Sequence, residues 1–214
     1  MTAVGMKSSV EEFLVDAWSA LSIRSVDEPD DVSISDERLM LDYRGGSASA
    51  FRKLYRRHCD RLHRLILRMS TGVADAEEIC QEVWTAVIRG RERYAPSAKF
   101  STYLYAIAHR RAVDRLRSQW RSAEEFDTAD VHNALVAANG SEPPEVAWRA
   151  GAGEALLAAI RGLPLAQREA FLLQVEGGLT LDEIAEATST NRETVKSRLR
   201  YANRRLRDAL KGWR

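Results

Sequence analysis

The stretch TVKSRLRYANRRLR, residues 194–207, places six cations on a segment whose apolar residues recur at helical spacing. The residues that form this apolar stripe are Val195, Leu199, Ala202 and Leu206. From residue 192 to residue 214 there are nine Lys and Arg residues but only two acids. A helix exposed only for solubility usually interleaves both signs of charge. The pattern therefore indicates an anionic partner, and nucleic acid is the commonest such partner.

The residues before this helix have the layout of a helix-turn-helix. Thr180 is predicted to cap a first helix, and Glu183 three residues later completes a capping box. Ala185 is small enough to let a second helix approach closely, and Asn191 is predicted to cap that helix. The side chains expected on the outer face of the second helix are Lys196, Ser197, Arg198, Arg200, Tyr201, Arg204 and Arg205. Such a helix fits the major groove of B-DNA. An ordinary helical hairpin is the alternative, but it does not explain the excess of cations over acids in residues 192–214.

A second segment, residues 99–121, mixes aromatic side chains with arginines. The aromatic residues are Phe100, Tyr103, Tyr105 and Trp120, and the arginines are Arg110, Arg111, Arg115, Arg117 and Arg121. Cations alone hold duplex DNA, whereas aromatic rings add stacking surfaces that only unpaired bases use. Some of the apolar residues must instead fill the core, with Tyr103 and Ile107 as the leading candidates. One basic segment suited to duplex DNA and one suited to single strands together predict a protein that opens DNA.

The elements that carry these residues are predicted to be helical throughout, because no alternating strand pattern is present. The sequence therefore predicts an all-α protein with two helical modules joined by a flexible linker. The predicted boundaries are an acidic extension at 1–37, a first module at 38–121, a linker at 122–152 and a second module at 153–214. The net charge of +1 hides an uneven distribution of charge, because the extension at 1–37 contains nine acids and only two cations.

Helices are predicted within both modules and in the extension. One helix is predicted to open at Ser35, Asp36 and Glu37 and to run toward Gly45-Gly46. The ranges of the others are 11–23, 47–69, 75–89, 101–120, 153–162, 165–176, 180–187 and 192–211. Residues 122–152 are predicted to be a linker, with partial helical structure left open, because the segment is acidic and contains Asn139-Gly140 and Pro143-Pro144.

Several classes of protein are not indicated by the sequence. No apolar stretch is long enough to span a bilayer, and no secretory signal is recognisable, so membrane insertion is not expected. Cys59 and Cys80 fit the reduced core thiols of a cytoplasmic protein. His58, Cys59 and His63 are conceivable metal ligands, but no second cluster supports them, and we expect neither a metal nor another cofactor. An enzyme is not expected either, because no convincing nucleophile and base occur together.

Five motifs occur in a fixed order along the chain. They are GSASAFRKLYRRH, DAEEICQEVW, FSTYLYAIAHRRAVDRLR, LPLAQREAFLL and LDEIAEATSTNRETVKSRLRYA. Together they resemble an extracytoplasmic-function (ECF) RNA polymerase sigma factor, with residues 46–121 similar to sigma region 2 and residues 153–210 similar to sigma region 4. The resemblance implies a transcription initiation factor that binds core RNA polymerase, through its β′ and β subunits, and directs promoter recognition and DNA melting. The nearest alternative is a helix-turn-helix regulator acting without core polymerase, which leaves residues 99–121 and DAEEICQEVW unexplained.

The resemblance also implies a role for individual residues. Those implied to bind the coiled coil of the polymerase β′ subunit are Asp75, Glu78, Gln81 and Glu82. Those implied to melt and read the −10 promoter element are Phe100, Tyr103, Arg110, Arg111, Arg115, Arg117, Trp120 and Arg121. Lys196, Ser197 and Arg200 match positions that read the −35 element, and the other outward residues of the same helix are expected to contact DNA beside them. An anti-sigma factor is the usual regulator in the family, with phosphorylation as an open alternative.

Three features depart from the family pattern. Arg110 stands where an Asn is common, so recognition of the flipped −10 base is expected to differ. Ser189 replaces the usual glycine of the turn, and Thr190 replaces an apolar residue. The acidic extension is additional, and three roles are open to it: it folds back on region 2, binds a regulator or is disordered.

Overall fold

The computed structural model describes residues 33–125 and 144–211, with side chains described in those ranges except at 120–125 and 144–152. Every regular element in these ranges is helical, which confirms the all-α prediction. The α-helices are α1 (Asp36–Arg44), α2 (Ala48–Met69), α3 (Val73–Gly90), α4 (Phe100–Glu125), α5 (Pro144–Arg161), α6 (Leu165–Val175), α7 (Leu181–Ala187) and α8 (Arg192–Ala209). A 3-10 turn, Arg91–Arg93, follows α3. Helices α1–α4 are here called the N-terminal module, and helices α5–α8 the C-terminal module.

The N-terminal module packs around the long amphipathic helix α2. The buried residues of α2 are Ala50, Phe51, Leu54, Leu62, Leu65, Ile66 and Met69. Helix α3 follows after a short turn and packs back on α2, where the ring centroids of Tyr55 and Trp84 lie 4.8 Å apart. Trp84 also meets the ring of Phe51 edge-on at 5.8 Å. Burial of each large apolar side chain stabilises the fold by about 1.5–3 kcal/mol, so this core fixes the direction of α3.

Helix α1 is fastened to α2 and α4 by its first two acids. The Asp36 carboxylate accepts a hydrogen bond from Arg57 at 2.7 Å and lies 2.6 Å from Nε2 of His58. Burial by itself would raise the pKa of Asp36, but the hydrogen bonds and charges of His58 and Arg57 outweigh it and hold that pKa below its usual value. The neighbouring Glu37 accepts the backbone N–H of Phe100 at 2.8 Å and so caps the start of α4.

The C-terminal module ends in the predicted helix-turn-helix, formed by α7 and α8. The backbone N–H of Glu183 donates to Oγ1 of Thr180 at 3.3 Å, and the N–H of Thr180 donates to Oε2 of Glu183 at 2.7 Å. Oδ1 of Asn191 accepts the backbone N–H of Thr194 at 2.7 Å. The predicted capping box and the predicted Asn cap are thus both confirmed. Ser189 lies in the turn between α7 and α8 and has φ 53°, a left-handed conformation that glycine adopts more readily.

The two modules pack against each other through α2 and α4 on one side and α5, α6 and α7 on the other. Glu176, directly after α6, has a side chain that is only 8% exposed, and it accepts a hydrogen bond from Nε of Arg64 at 2.9 Å. Arg68 forms a second ion pair with the same carboxylate. The buried hydroxyl of Tyr105 donates to the backbone carbonyl of Glu176 at 3.4 Å. We call this set of contacts the Glu176 clasp.

Two further ion pairs lie along the same contact between the modules. Nζ of Lys99 is 3.0 Å from Oε1 of Glu183, at the start of α7. Nε2 of His109 is 3.2 Å from Oε2 of Glu169 on α6, although the ring is not aligned for a hydrogen bond. Glu169 pairs with a residue of helix α4 and Glu183 with the residue directly before it, and α4 carries the aromatic and basic residues predicted to bind DNA. The C-terminal module therefore covers one side of α4.

Most predicted helix boundaries are close to the observed ones, but two segments differ. Helix α3 begins at Val73, two residues before the predicted start at 75. Helices also extend into both ends of the predicted linker, because α4 continues to Glu125 and α5 begins at Pro144. Proline is well tolerated in the first turn of a helix, where its missing N–H needs no partner, so Pro144 starts a helix instead of breaking one. The predicted helix at 11–23 lies outside the described residues.

Candidate nucleic-acid and protein interfaces

Helix α8 separates an apolar seam from a basic face. The seam residues are between 0% and 6% exposed, and they are Val195, Leu199, Ala202 and Leu206. The outer face carries the residues predicted to lie there, of which Arg198 is half-buried and the others are exposed: Lys196, Ser197, Arg200, Tyr201, Arg204 and Arg205. Because the seam docks on the C-terminal module, the basic face is held in one orientation.

Tyr201 lies between two of the cations on this face. The ring is 42% exposed, and the guanidinium carbons of Arg200 and Arg204 lie 5.1 Å and 5.8 Å from its centroid. Cation–π contacts of this kind orient a guanidinium without neutralising it. Nζ of Lys196 is 3.5 Å from Glu193, but side chains that are 65% and 77% exposed gain little from such a pair. The cations of α8 therefore remain accessible to an anionic partner.

The aromatic residues of α4 lie deeper than their predicted role requires. Phe100 is 0% exposed, and its ring lies 5.4 Å from His58 and 6.3 Å from Tyr94. Tyr105 is 1% exposed and belongs to the Glu176 clasp. Tyr103 is half-buried, with its ring 5.3 Å from that of Tyr94. The closure of the start of α4 by α1 places Phe100 in the core, so this geometry does not support stacking of an unpaired base on Phe100.

The arginines of α4 fall into two groups. Arg110 and Arg117 are exposed, and no ion pair of either is found within the described residues. Arg111 lies 3.6 Å from Oε2 of Glu82 on α3. Arg115 is also directed at α3, so two of the predicted −10 contacts are engaged by acids of this chain. The side chains of Trp120 and Arg121 lie outside the described part of the chain.

Four residues of α3 were predicted to dock on the polymerase, and we call them the docking face: Asp75, Glu78, Gln81 and Glu82. The side chains of Glu78 and Glu82 are 59% and 41% exposed, and Gln81 is exposed. Asp75 is only 13% exposed, because Nε of Arg115 covers it at 3.3 Å. Nη2 of the same guanidinium lies 2.6 Å from Glu78 and 3.9 Å from Glu82. Three residues of the docking face thus have exposed surface for a partner, while Asp75 is covered by Arg115, which Glu78 also contacts.

The conceivable metal ligands do not form a site. Within residues 33–125 and 144–211 no group of three His, Cys, Asp or Glu side chains could hold a metal ion, and His58 is engaged by Asp36. Burial raises the pKa of the Cys59 thiol to about 11 and that of Cys80 to about 12, so neither is a ready thiolate at neutral pH. None of the helices in these ranges combines the length and apolarity that a membrane crossing requires.

Sequence reasoning missed the contact between the modules. Glu176 and its partners Arg64 and Arg68 are more than a hundred positions apart, so no local spacing links them. The one local feature that marks Glu176 is its position directly before Gly177-Gly178. Gly178 has φ of +65° and makes the turn into α7. Pairing across such a distance follows only from the packed structure.

Comparisons with known proteins match both modules. The family description "Sigma-70 region 2" matches residues 54–122, and "Sigma-70, region 4" matches residues 153–206. An ECF RNA polymerase sigma factor, SigK of Mycobacterium ulcerans, is 32% identical over 77% of this chain and 88% of its own length. SigE of Mycolicibacterium smegmatis, another ECF sigma factor, is 29% identical over 94% of this chain and 74% of its own length.

Two solved structures share the fold. One is the sigma factor RpoE in complex with the anti-sigma factor NepR from Bartonella quintana, with a TM-score of 0.63 and 20% identity over 75% of this chain and 96% of that one. The other is CnrH in complex with the cytosolic domain of CnrY, with a TM-score of 0.60 and 17% identity over 84% of this chain and 99% of that one.

The two helical modules, one ending in a helix-turn-helix with an exposed basic face, together define a sigma factor of the sigma-70 type. SigK of Mycobacterium ulcerans is 32% identical to this chain over 88% of its own length. Among sigma factors of the sigma-70 type, the chain therefore belongs to the ECF RNA polymerase sigma factors. Its function is to direct promoter recognition by RNA polymerase and transcription initiation. The alternative of a helix-turn-helix regulator that acts without core polymerase is not favoured, because region 2 is matched as well as region 4.

Proposed function

We propose that this sigma factor docks on core polymerase through Glu78, Gln81 and Glu82 of α3. We further propose that it reads the −35 element with α8 and the −10 element with α4. The observation that carries the proposal is the division of α8 into a buried seam and an accessible basic face. A seam docked on the module fixes the register of the helix in a groove, which a loose basic tail could not do.

The −35 contacts are proposed along the length of α8. Lys196 and Arg200 lie one helical turn apart on the exposed face, so they can reach neighbouring base pairs in the major groove. Arg204 and Arg205 lie farther along, where the helix leaves the groove, and they are proposed to contact phosphates. The ring of Tyr201 lies close to both Arg200 and Arg204 and helps to orient them on this face.

The polymerase contact is proposed on the exposed part of the docking face. Carboxylates at 78 and 82 lie one turn apart with Gln81 beside them, which suits a basic helix of a partner such as the β′ coiled coil. The opposite side of α3 supplies the core residues Ile79, Val83 and Trp84, so substitution at the docking face changes ion pairs with α4 but not the apolar core of α3.

The −10 contacts are proposed on the accessible side of α4. Arg110 and Arg117 are exposed and can contact the DNA backbone. Among the aromatic side chains described on α4, Tyr103 is half-buried, whereas Phe100 and Tyr105 are buried, so Tyr103 is the accessible one. Arg111 and Arg115 can contribute only after they leave the acids of α3. Phe100 is proposed to shape the start of α4 from the core instead of stacking on a base.

Binding of both promoter elements at once requires the modules to separate. The centres of the −10 and −35 elements lie about 25 base pairs apart, or roughly 85 Å of duplex at 3.4 Å per base pair. A packed body of about 180 residues is only about 40 Å across, from the usual scaling of radius with chain length. The Glu176 clasp is therefore proposed to open when the factor engages core polymerase and promoter DNA.

A cytoplasmic location and a regulating protein partner complete the proposal. One solved structure that shares this fold, RpoE, is a sigma factor in complex with the anti-sigma factor NepR, and another, CnrH, is in complex with the cytosolic domain of CnrY. We infer an anti-sigma factor, or another regulator, for this chain also. Sigma factors act as DNA-binding initiation factors, so no catalytic group is assigned.

Purified core polymerase provides the test. The double change Gln81→Ala with Glu82→Arg should abolish co-purification with core polymerase and promoter-specific transcription, while the helical circular dichroism spectrum stays unchanged. Glu77→Arg is the matched control, because Glu77 is an exposed acid of the same helix outside the docking face. Co-purification of the double variant at the level of the control would show that the docking face is wrongly assigned.

A further inference from the structure

His109 of α4 faces Glu169 of α6 across the contact between the two modules. Nε2 of the ring lies 3.2 Å from Oε2 of the carboxylate, and the two side chains are only 14% and 9% exposed. That ring nitrogen makes no hydrogen bond within the described residues, so the attraction between the two side chains depends on the charge of the ring. A nearly buried carboxylate is compensated well by an imidazolium and poorly by a neutral imidazole. The contact between the modules is therefore stronger when His109 is protonated.

The ionisable groups nearest to His109 keep their charge where a histidine ordinarily titrates, between about pH 5 and 8. Burial raises the pKa of Tyr105, one turn earlier on α4, to about 12, although the charges of Arg61 and Arg64 on α2 lower it. Burial lowers the pKa of Arg168 on α6, but a guanidinium stays charged throughout this range. The acids of α1 and α3 that contact α4 bind the start of the helix and its arginines, not this ring.

The other ion pairs of the contact between the modules contain no histidine. In the Glu176 clasp the acid pairs with arginines, and at the start of α7 Glu183 pairs with Lys99. Of the histidines on α2, His58 is paired with an acid of α1, and no ion pair of His63 is found within the described residues. In the described part of the chain, the pair on α4 and α6 is thus the one that joins a histidine to an acid across the modules.

We propose that the pair of His109 and Glu169 makes the contact between the modules sensitive to pH. Protonation of the ring holds the modules together, and loss of the proton favours the open form. The inference rests on the proposed separation of the modules. Because the closed form binds the proton more tightly than the open form, opening releases it, and by the same linkage a rise in pH increases the open population. The factor is therefore more ready to span both promoter elements at alkaline than at acid pH.

The first measurement follows the open population of the full chain by single-molecule energy transfer. Dyes are attached with maleimide at Arg52→Cys and Glu186→Cys, which are exposed positions of α2 and α7. The native thiols react slowly, because burial raises the pKa of Cys59 to about 11 and that of Cys80 to about 12. Between about pH 5.5 and 8 the fraction of molecules with low transfer should rise about three- to tenfold. An equal fraction at both pH values would overturn the proposal.

Two variants, one on each module, assign the effect to this pair. His109→Gln and Glu169→Gln each keep a polar side chain but remove one charge, so the rise of the open fraction with pH should disappear in both. The double variant should match the single variants, because neither partner acts without the other. His63→Gln, at the half-buried histidine of α2, is the matched control and should keep the rise. A rise that persists in either single variant with a helical circular dichroism spectrum would overturn the proposal.

Failure of the proposed separation would be recognised separately. Core polymerase and promoter DNA, added together to the labelled protein, should convert it to the low-transfer form at either pH. If no conversion occurred, the separation of the modules would be rejected, and the pH dependence with it. Conversion by polymerase together with a pH-independent open fraction in the free protein would instead retain the separation and reject the role of His109.

Discussion

Helices α4 and α8 both carry closely spaced cations beside aromatic residues, yet the fold treats them in opposite ways. The cations of α8 lie on an outer face, and Tyr201 among them is 42% exposed. On α4 the rings of Phe100 and Tyr105 are at most 1% exposed, and two of its arginines face acids of α3. The reason is that α8 packs through one side, whereas α4 is contacted by α1, α2 and α3 of its own module and by α7 of the other.

Composition alone therefore does not distinguish a face that binds a partner from a face that packs in the core. One buried seam leaves the rest of α8 accessible, so its outward residues could be read from helical spacing. A helix with neighbours on several sides has few free positions, and its aromatic residues are needed for the core. Among the described residues of α4 predicted to contact the −10 element, Tyr103, Arg110 and Arg117 are accessible and are not paired with an acid of α3.

The largest effect is expected where the two helices differ most. Phe100→Ala should lower the free energy of unfolding by about 3–5 kcal/mol, because a fully buried ring leaves a cavity. Tyr201→Ala, at an exposed ring of α8, is the matched aromatic control and should cost less than about 1 kcal/mol. Urea denaturation measures both. An unfolding free energy for Phe100→Ala as high as that of the control would mean that the ring is available for stacking.

A smaller effect is expected from the contact that covers α4. Glu176→Gln removes the charge that Arg64 and Arg68 share and should weaken the packing of the modules by about 1–3 kcal/mol. The radius of gyration of the free protein, measured by small-angle X-ray scattering, should then increase. Glu186→Gln, at an exposed acid of α7, should leave the radius unchanged. An unchanged radius in the Glu176→Gln protein would contradict a closing role for the Glu176 clasp.

The attachment of α1 to the N-terminal module should depend on pH. The pKa of Asp36 lies below its usual value of 3.8, so its stabilising effect is complete above that pH and is lost as the pH falls through the lower, folded-state pKa. Asp36→Asn should cost about 1 kcal/mol at neutral pH. Urea titrations of both proteins should show this difference shrinking below pH 3.8. A difference that stays constant into acid would show that the carboxylate charge is not involved.

The smallest effect concerns the turn that orients α8. Ser189→Gly should raise the free energy of unfolding by up to about 1 kcal/mol, because glycine adopts positive φ without the strain that a side chain introduces. DNA binding should be unchanged, since the turn keeps its shape. Thermal denaturation followed by circular dichroism measures the gain. A lower melting temperature for the glycine variant would imply that the Ser189 side chain stabilises the turn.

Local patterns were sufficient to predict most of the fold. The caps at Thr180 and Asn191 and the seam of α8 depend on residues within one or two turns of each other, and the structure confirms them. The predicted contacts of α8 with DNA remain predictions, although its exposed residues lie where helical spacing placed them.

The rest depended on contacts between distant parts of the chain. Burial of Phe100 follows from Glu37 and the α1 helix, which lie about sixty positions earlier. The pairing of Arg111 with Glu82 and of Arg64 with Glu176 joins residues of different helices. No spacing rule connects such residues, so the sequence could identify which side chains are charged or aromatic but not which ones remain free.

Helix α8 is proposed to be held in one register on its module, so that its two ends have different roles on DNA. Binding of polymerase holoenzyme to a series of −35 variants, measured across a range of salt concentrations, tests it most directly. Arg200→Ala should lose about 1–3 kcal/mol of discrimination at particular upstream bases. Arg205→Ala should weaken binding to every sequence about equally and lower the salt slope by about one unit. Equal losses across all −35 variants for Arg200→Ala would mean that α8 only binds phosphates and does not read bases.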